Sequence, residues 1–100
     1  MFSRIIGRLK YMRIKDNFIF QNVADEYIVV PVGDQADQLN GIIKLNSAGA
    51  YLWNLLADKE RSYEELIDSL IGKFKIERVL AETDVNRFVD QLKRLHCIDE

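Results

Sequence analysis

The chain has 100 residues, 48% of them hydrophobic and 30% charged, with one Pro, five Gly and a formal net charge of −2. That length and balance fit one small globular domain with a modest core rather than a disordered chain, and the single cysteine excludes an internal disulfide. The charge is unevenly divided: Arg4, Arg8, Lys10, Arg13 and Lys15 make residues 1–15 basic, leaving −7 on residues 16–100, which argues against a broad nucleic-acid surface.

Residues 1–14 read as a basic N-terminal extension ahead of a domain spanning residues 15–100. Phe2, Ile5, Ile6, Leu9 and Tyr11 interleave with the basic residues in a pattern compatible with a short amphipathic helix. A simple extension, or a surface helix docking on a partner or neighbouring subunit, is favoured over an anchor on anionic membranes because the apolar face is short. Met12 offers an alternative start. The longest apolar run, Tyr27 to Val32, is far below the roughly 20 residues a spanning helix needs, and the N-terminus lacks the apolar core of a secretory signal. A cytoplasmic location is expected.

Phe18 to Val23 is aromatic and β-branched, Ala24-Asp25 is turn-like, and Glu26 to Gly33 forms a second strand, so the pair predicts a hairpin. Pro31 has no N–H to give a ladder and belongs at a strand end, edge or bulge. Asp34 to Gln38 reads as a polar loop. Asn40-Gly41 supplies a turn, and Ile42 to Leu45 makes a short third strand.

The character then changes from extended to helical. Ala48, Tyr51, Leu52, Leu55 and Leu56 step by three and four, which predicts a helix with one apolar stripe, started by Asn46 or Ser47 as cap. Trp53 projects to one side of that stripe, as a core or subunit-contact residue. Ser62-Tyr63-Glu64-Glu65 is a capping box opening a second helix through Phe74, with Tyr63, Leu66, Ile67, Leu70 and Ile71 on its apolar side. A third helix begins between Glu77 and Ala81 and runs to about Leu95, with Val85, Phe88, Val89 and Leu92 along one side.

Chemistry-bearing motifs are sparse. Cys97 is the sole cysteine and His96 the sole histidine, and neighbours on a helix point about 100° apart, so they do not read as a nucleophile and base. No Gly-rich phosphate loop and no metal-spaced His/Cys set occurs in the sequence. The sequence gives no reason to expect an enzyme or a cofactor.

Three strands followed by three helices predict an α+β, winged helix-turn-helix-like domain with a three-stranded antiparallel sheet. Beyond that order, the run Leu45-Asn46-Ser47-Ala48-Gly49-Ala50-Tyr51-Leu52-Trp53, then Ser62-Tyr63-Glu64-Glu65-Leu66, Phe74, and Asp84-Val85-Asn86-Arg87-Phe88-Val89-Asp90-Gln91-Leu92, together resemble the PqqD-like family. The resemblance spans residues 15–98. One departure is His96, where the family pattern has a helix-ending glycine.

The resemblance implies a non-catalytic peptide chaperone, or recognition element, that captures the leader segment of a ribosomally made precursor and presents it to a modifying enzyme such as a radical SAM maturase. The leader would add as a strand beside the third strand, in the groove against the third helix. Carried over by position, the ligand surface is Gly41, Ile42, Ile43, Lys44 and Leu45 on the strand side, and Asp84, Arg87, Phe88, Gln91, Leu92 and Leu95 on the helix side. Ile43, Leu45, Phe88 and Leu92 also have the spacing of an ordinary buried face, and Lys44, Arg87 and Gln91 that of solvated surface. Two rivals stand beside this reading: a structural or regulatory interaction domain, dimeric through the basic head or through strand exchange, and winged-helix DNA binding, which the acidic balance disfavours.

Overall fold

The computed structural model describes residues 11–38 and 41–98. The amphipathic pattern of residues 1–10 and the Asn40 half of the expected turn lie outside the described residues. The elements in chain order are β1 (Tyr11–Met12), β2 (Phe18–Val23), β3 (Glu26–Pro31), α1 (Asp34–Gln38), β4 (Ile43–Leu45), α2 (Ser47–Asp58), β5 (Arg61–Ser62), α3 (Tyr63–Phe74) and α4 (Arg78–Arg94). Strands β2, β3 and β4 form an antiparallel sheet in that spatial order, so β4 is an edge. The three long helices follow it, giving the expected α+β class. Among the described residues, no helix is long and apolar enough to cross a membrane.

The hairpin joins Val23 to Glu26 through Ala24 and Asp25, both at positive φ, 52° and 68°. A two-residue hairpin turn needs that sign to match strand twist, and here non-glycine residues bear its steric cost. Pro31 closes β3 opposite Phe18, at a strand end as its missing N–H requires.

Two features differ from the sequence expectation. Asp34 to Gln38 forms the short helix α1, because Gly33 turns the chain at φ 57° and its carbonyl accepts from the Ala36 N–H at 3.1 Å. Five polar residues without an apolar stripe carry no periodic signal. The second is a two-stranded ribbon pairing Tyr11 with Ser62 and Met12 with Arg61, continued by a bridge between Ile14 and Ile98. Met12 is wholly buried and Ile14 nearly so, which places both in the core. The folded unit therefore takes in residues upstream of the expected start at residue 15.

The core lies between the sheet and the three long helices. Helix α2 buries Gly49, Ala50, Leu52, Trp53 and Leu56, while Ala48, Tyr51 and Leu55 are half-buried flanks. Its deepest stripe is thus rotated from the expected one, because α2 meets the sheet on one side and helices on another. Trp53 is 2% exposed and meets Phe18 in a T-shaped pair with ring centroids 5.7 Å apart. Helix α3 starts with both halves of the capping box in place: Ser62 Oγ accepts from the Glu65 N–H and Glu65 Oε1 from the Ser62 N–H. Arg78 then links α4 to α3 through Asp68 at 2.7 Å and Glu64 at 3.5 Å.

Helix α4 ends in a Schellman motif. The Cys97 N–H donates to the Leu92 carbonyl at 2.8 Å and the His96 N–H to that of Lys93 at 3.1 Å, with His96 at φ 58°. The non-glycine residue accepts left-handed geometry because Leu92 and Cys97, both fully buried, hold the motif from either side. Two relaxing substitutions are expected to stabilise the fold, His96→Gly and the turn pair Ala24→Asn with Asp25→Gly, each by roughly 0.5–1 kcal/mol, read as a Tm several degrees higher in a thermal melt.

Candidate functional site

The site begins at the join between sheet and helix. Strand β4 ends at Leu45, Asn46 follows, and α2 starts at Ser47, leaving one residue to turn the chain. Asn46 is extended, and its Oδ1 accepts from the Gly49 N–H at 2.7 Å, satisfying a donor that the first helical turn would otherwise orphan. Gly49 is buried against this cap. A Cβ there would stand 3.2 Å from Asn46 Oδ1 and 3.5 Å from the Leu45 side chain, so glycine is what allows the cap and the strand end to approach so closely.

Opposite this join runs α4. Asp84, Arg87, Phe88 and Gln91 fall on one helical face and form one wall of a groove of about 240 Å³, with Lys44, Leu45, Asn46, Ala48, Gly49 and Leu52 on the other side. Leu45, Leu52 and Phe88 are buried and give the groove an apolar floor. Lys44 and Arg87 are exposed. Along the groove the edge of β4 has no strand partner among the described residues, since its ladder runs to β3 alone, with Ile43 opposite Val29 and Leu45 opposite Tyr27. An open edge of this kind offers backbone N–H and C=O groups to an added strand.

The sequence-derived site residues divide between groove, core and flank. Lys44, Leu45, Asp84, Arg87, Phe88 and Gln91 are brought together at the groove. Ile43 and Leu92 are core: Ile43 is 4% exposed and Leu92 fully enclosed. Leu95 is half-buried against the core just past α4, while Gly41 and Ile42 are exposed ahead of β4. The cap Asn46 and the α2 contributors Ala48, Gly49 and Leu52 were not among the expected site residues. Their signal is the spacing Leu45-Asn46-Ser47-Ala48-Gly49, a strand end, a cap, and a glycine where the cap must approach the helix.

Cys97 is fully buried at the C-terminal end of α4 and His96 beside it is exposed, so the pair forms no nucleophile and base. Burial pushes the Cys97 thiol up to about 11, against a smaller opposing effect of the Lys15 charge. It is a packing group.

A family described as coenzyme PQQ synthesis protein D (PqqD) matches residues 21–98 of the chain. Two solved structures share the fold. TbiB1 in complex with the TbiA(beta) leader peptide superposes with a TM-score of 0.69 at 22% identity, covering 87% of this chain and 94% of that one. A lasso peptide synthetase B1 complexed with the leader peptide gives 0.68 at 19% identity, covering 89% and 98% respectively. A search of curated proteins found no match.

Two outcomes follow from this geometry. Asn46→Ala is expected to cost about 1 kcal/mol and lower Tm by several degrees, whereas Asn46→Asp keeps an acceptor at the cap and melts close to the parent. Folded protein at neutral pH is expected to react with Ellman's reagent only as fast as it opens, and urea to expose the thiol at once. The unfolded thiol ionises near 9 and the folded one near 11, so stability falls as pH rises across that interval, and Cys97→Ala removes that part of the fall.

Proposed function

This chain belongs to the PqqD family, and from that premise we propose that it is a non-catalytic peptide-binding module, which captures the leader segment of a ribosomally made precursor by strand addition at β4 and presents it to a modifying enzyme. The observation that carries the reading is the open edge of β4 beside an apolar-floored groove walled by α4. Backbone pairing along the edge supplies affinity that depends little on sequence, and the side chains of the groove choose among ligands. That two proteins of the same fold were solved holding a leader peptide supports the assignment.

The module acts in the cytoplasm, where precursor peptides are made. Its enzyme partner is a maturase, with a radical SAM protein the first candidate. Whether it pairs with a second copy is read from native mass in the presence and absence of peptide.

The test is titration of isotope-labelled protein with the leader portion of a short peptide encoded beside the gene. Saturable NMR shifts confined to Ile43 to Leu45, the start of α2 and the Asp84–Gln91 face of α4 are expected. Binding without shifts at β4 would overturn strand addition. Ala48 lines the groove half-buried, so Ala48→Phe should fill it, leave the helical circular dichroism intact and weaken the peptide at least tenfold, about 1.4 kcal/mol.

A further inference from the structure

The charges around the groove carry information about its ligand. Along β4, Ile43 and Leu45 point inward and Lys44 points outward, the alternation of a pleated strand. A peptide strand added to the free edge inherits that pleat. Its residues beside Ile43 and Leu45 face the apolar floor of Leu45, Leu52 and Phe88, and the residue between them emerges on the outer face next to Lys44.

Lys44 is weakly engaged in the protein itself. Its cross-strand neighbour is Ile28, and its ammonium lies 4.0 Å from Glu26 with both side chains well exposed, a pair that contributes little. On the facing wall, Arg87 has no ion pair with another described residue, although Asp84 is three residues away on the same helix. By contrast, Arg78 on the same helix is within 4 Å of three carboxylates, those of Glu64, Asp68 and Glu82. The weakly paired Lys44 and Arg87, unpaired among the described residues, outnumber the groove's one lining carboxylate, Asp84, which in a domain whose residues 16–100 carry −7 makes the groove a local exception to the charge of its surroundings.

We infer that the segment captured at β4 alternates apolar and acidic side chains: apolar groups seated over Leu45, Leu52 and Phe88, and the carboxylate between them emerging at the mouth of the groove, drawn to exposed Lys44 on the strand side and exposed Arg87 on the helix side. This rests on the strand-addition reading and adds the chemistry of the ligand to it. Asp84 sharpens the choice, because a carboxylate placed toward that end of the α4 wall meets a like charge, which fixes the register of the acid along the groove.

The experiment uses two synthetic peptides of one extended, Ser/Thr-rich frame, one centred on Leu-Glu-Leu and the other on Leu-Lys-Leu, titrated by fluorescence anisotropy and by NMR at low and high salt. The parent should bind the Glu peptide about tenfold more tightly, with the preference shrinking at high salt as exposed charges are screened. K44E and R87E should each reduce that preference several-fold, and the double variant should favour the Lys peptide. All four substituted and parent proteins should show the same shifts at β4 backbone amides. Equal binding of both peptides by the parent, or variants that keep its preference while the β4 amides still shift, would sink the acidic-ligand inference and leave strand addition standing. Binding of either peptide without any β4 amide shift would overturn both.

Discussion

The hydrogen bond from the Gly49 N–H to Asn46 Oδ1 governs where the rest of the molecule can lie. It ends the sheet and starts α2 within one residue, so the direction of the helix is referred directly to the edge strand. A longer connection would let the two elements tilt independently. Because they cannot, the face of α2 that carries Leu52, Trp53 and Leu56 is aimed into the core, and the space left beside Leu45 is closed from the far side by α4. Core and groove are two sides of the same constraint.

Much of this was legible in the sequence wherever a residue both patterned and capped. The box at Ser62 and Glu65, the Asn46 entry, and the spacing of α3 and α4 stated their elements directly, and the resemblance pointed to the space between third strand and last helix, where the groove lies. The remaining features have weak local signatures. The β1 and β5 strands are two residues each and are held by pairing between distant parts of the chain, which no window of sequence contains. Ala24, Asp25 and His96 sit at positive φ without glycine to announce it. Trp53, to one side of the stripe and readable as either core or subunit contact, is core, because α2 is enclosed on more than one side and so buries a wider arc. The α2 wall of the groove is silent in the sequence for a related reason: Ala48 and Gly49 are small, and small residues signal by the room they leave rather than by what they contribute.

The division of labour along α4 is economical for so short a chain. Val85, Val89 and Leu92 are wholly enclosed and tie the helix to the core, while Asp84, Arg87 and Gln91, a fraction of a turn away, belong to the groove. Phe88 serves both, closing the core and flooring the groove. A helix that moved to accommodate a ligand would have to break its own packing, so any segment added at β4 would itself have to do the adapting. The ordering cost on that side would then be that of the incoming segment alone.

The bridge between Ile14 and Ile98, reinforced by the Lys15 N–H donating to the Cys97 carbonyl at 2.9 Å, brings the beginning and end of the described fold side by side. A segment joined after Ile98 would therefore set out beside Ile14, three residues after the described chain begins at Tyr11, so a protein attached at either end of the described fold would meet the groove from neighbouring points.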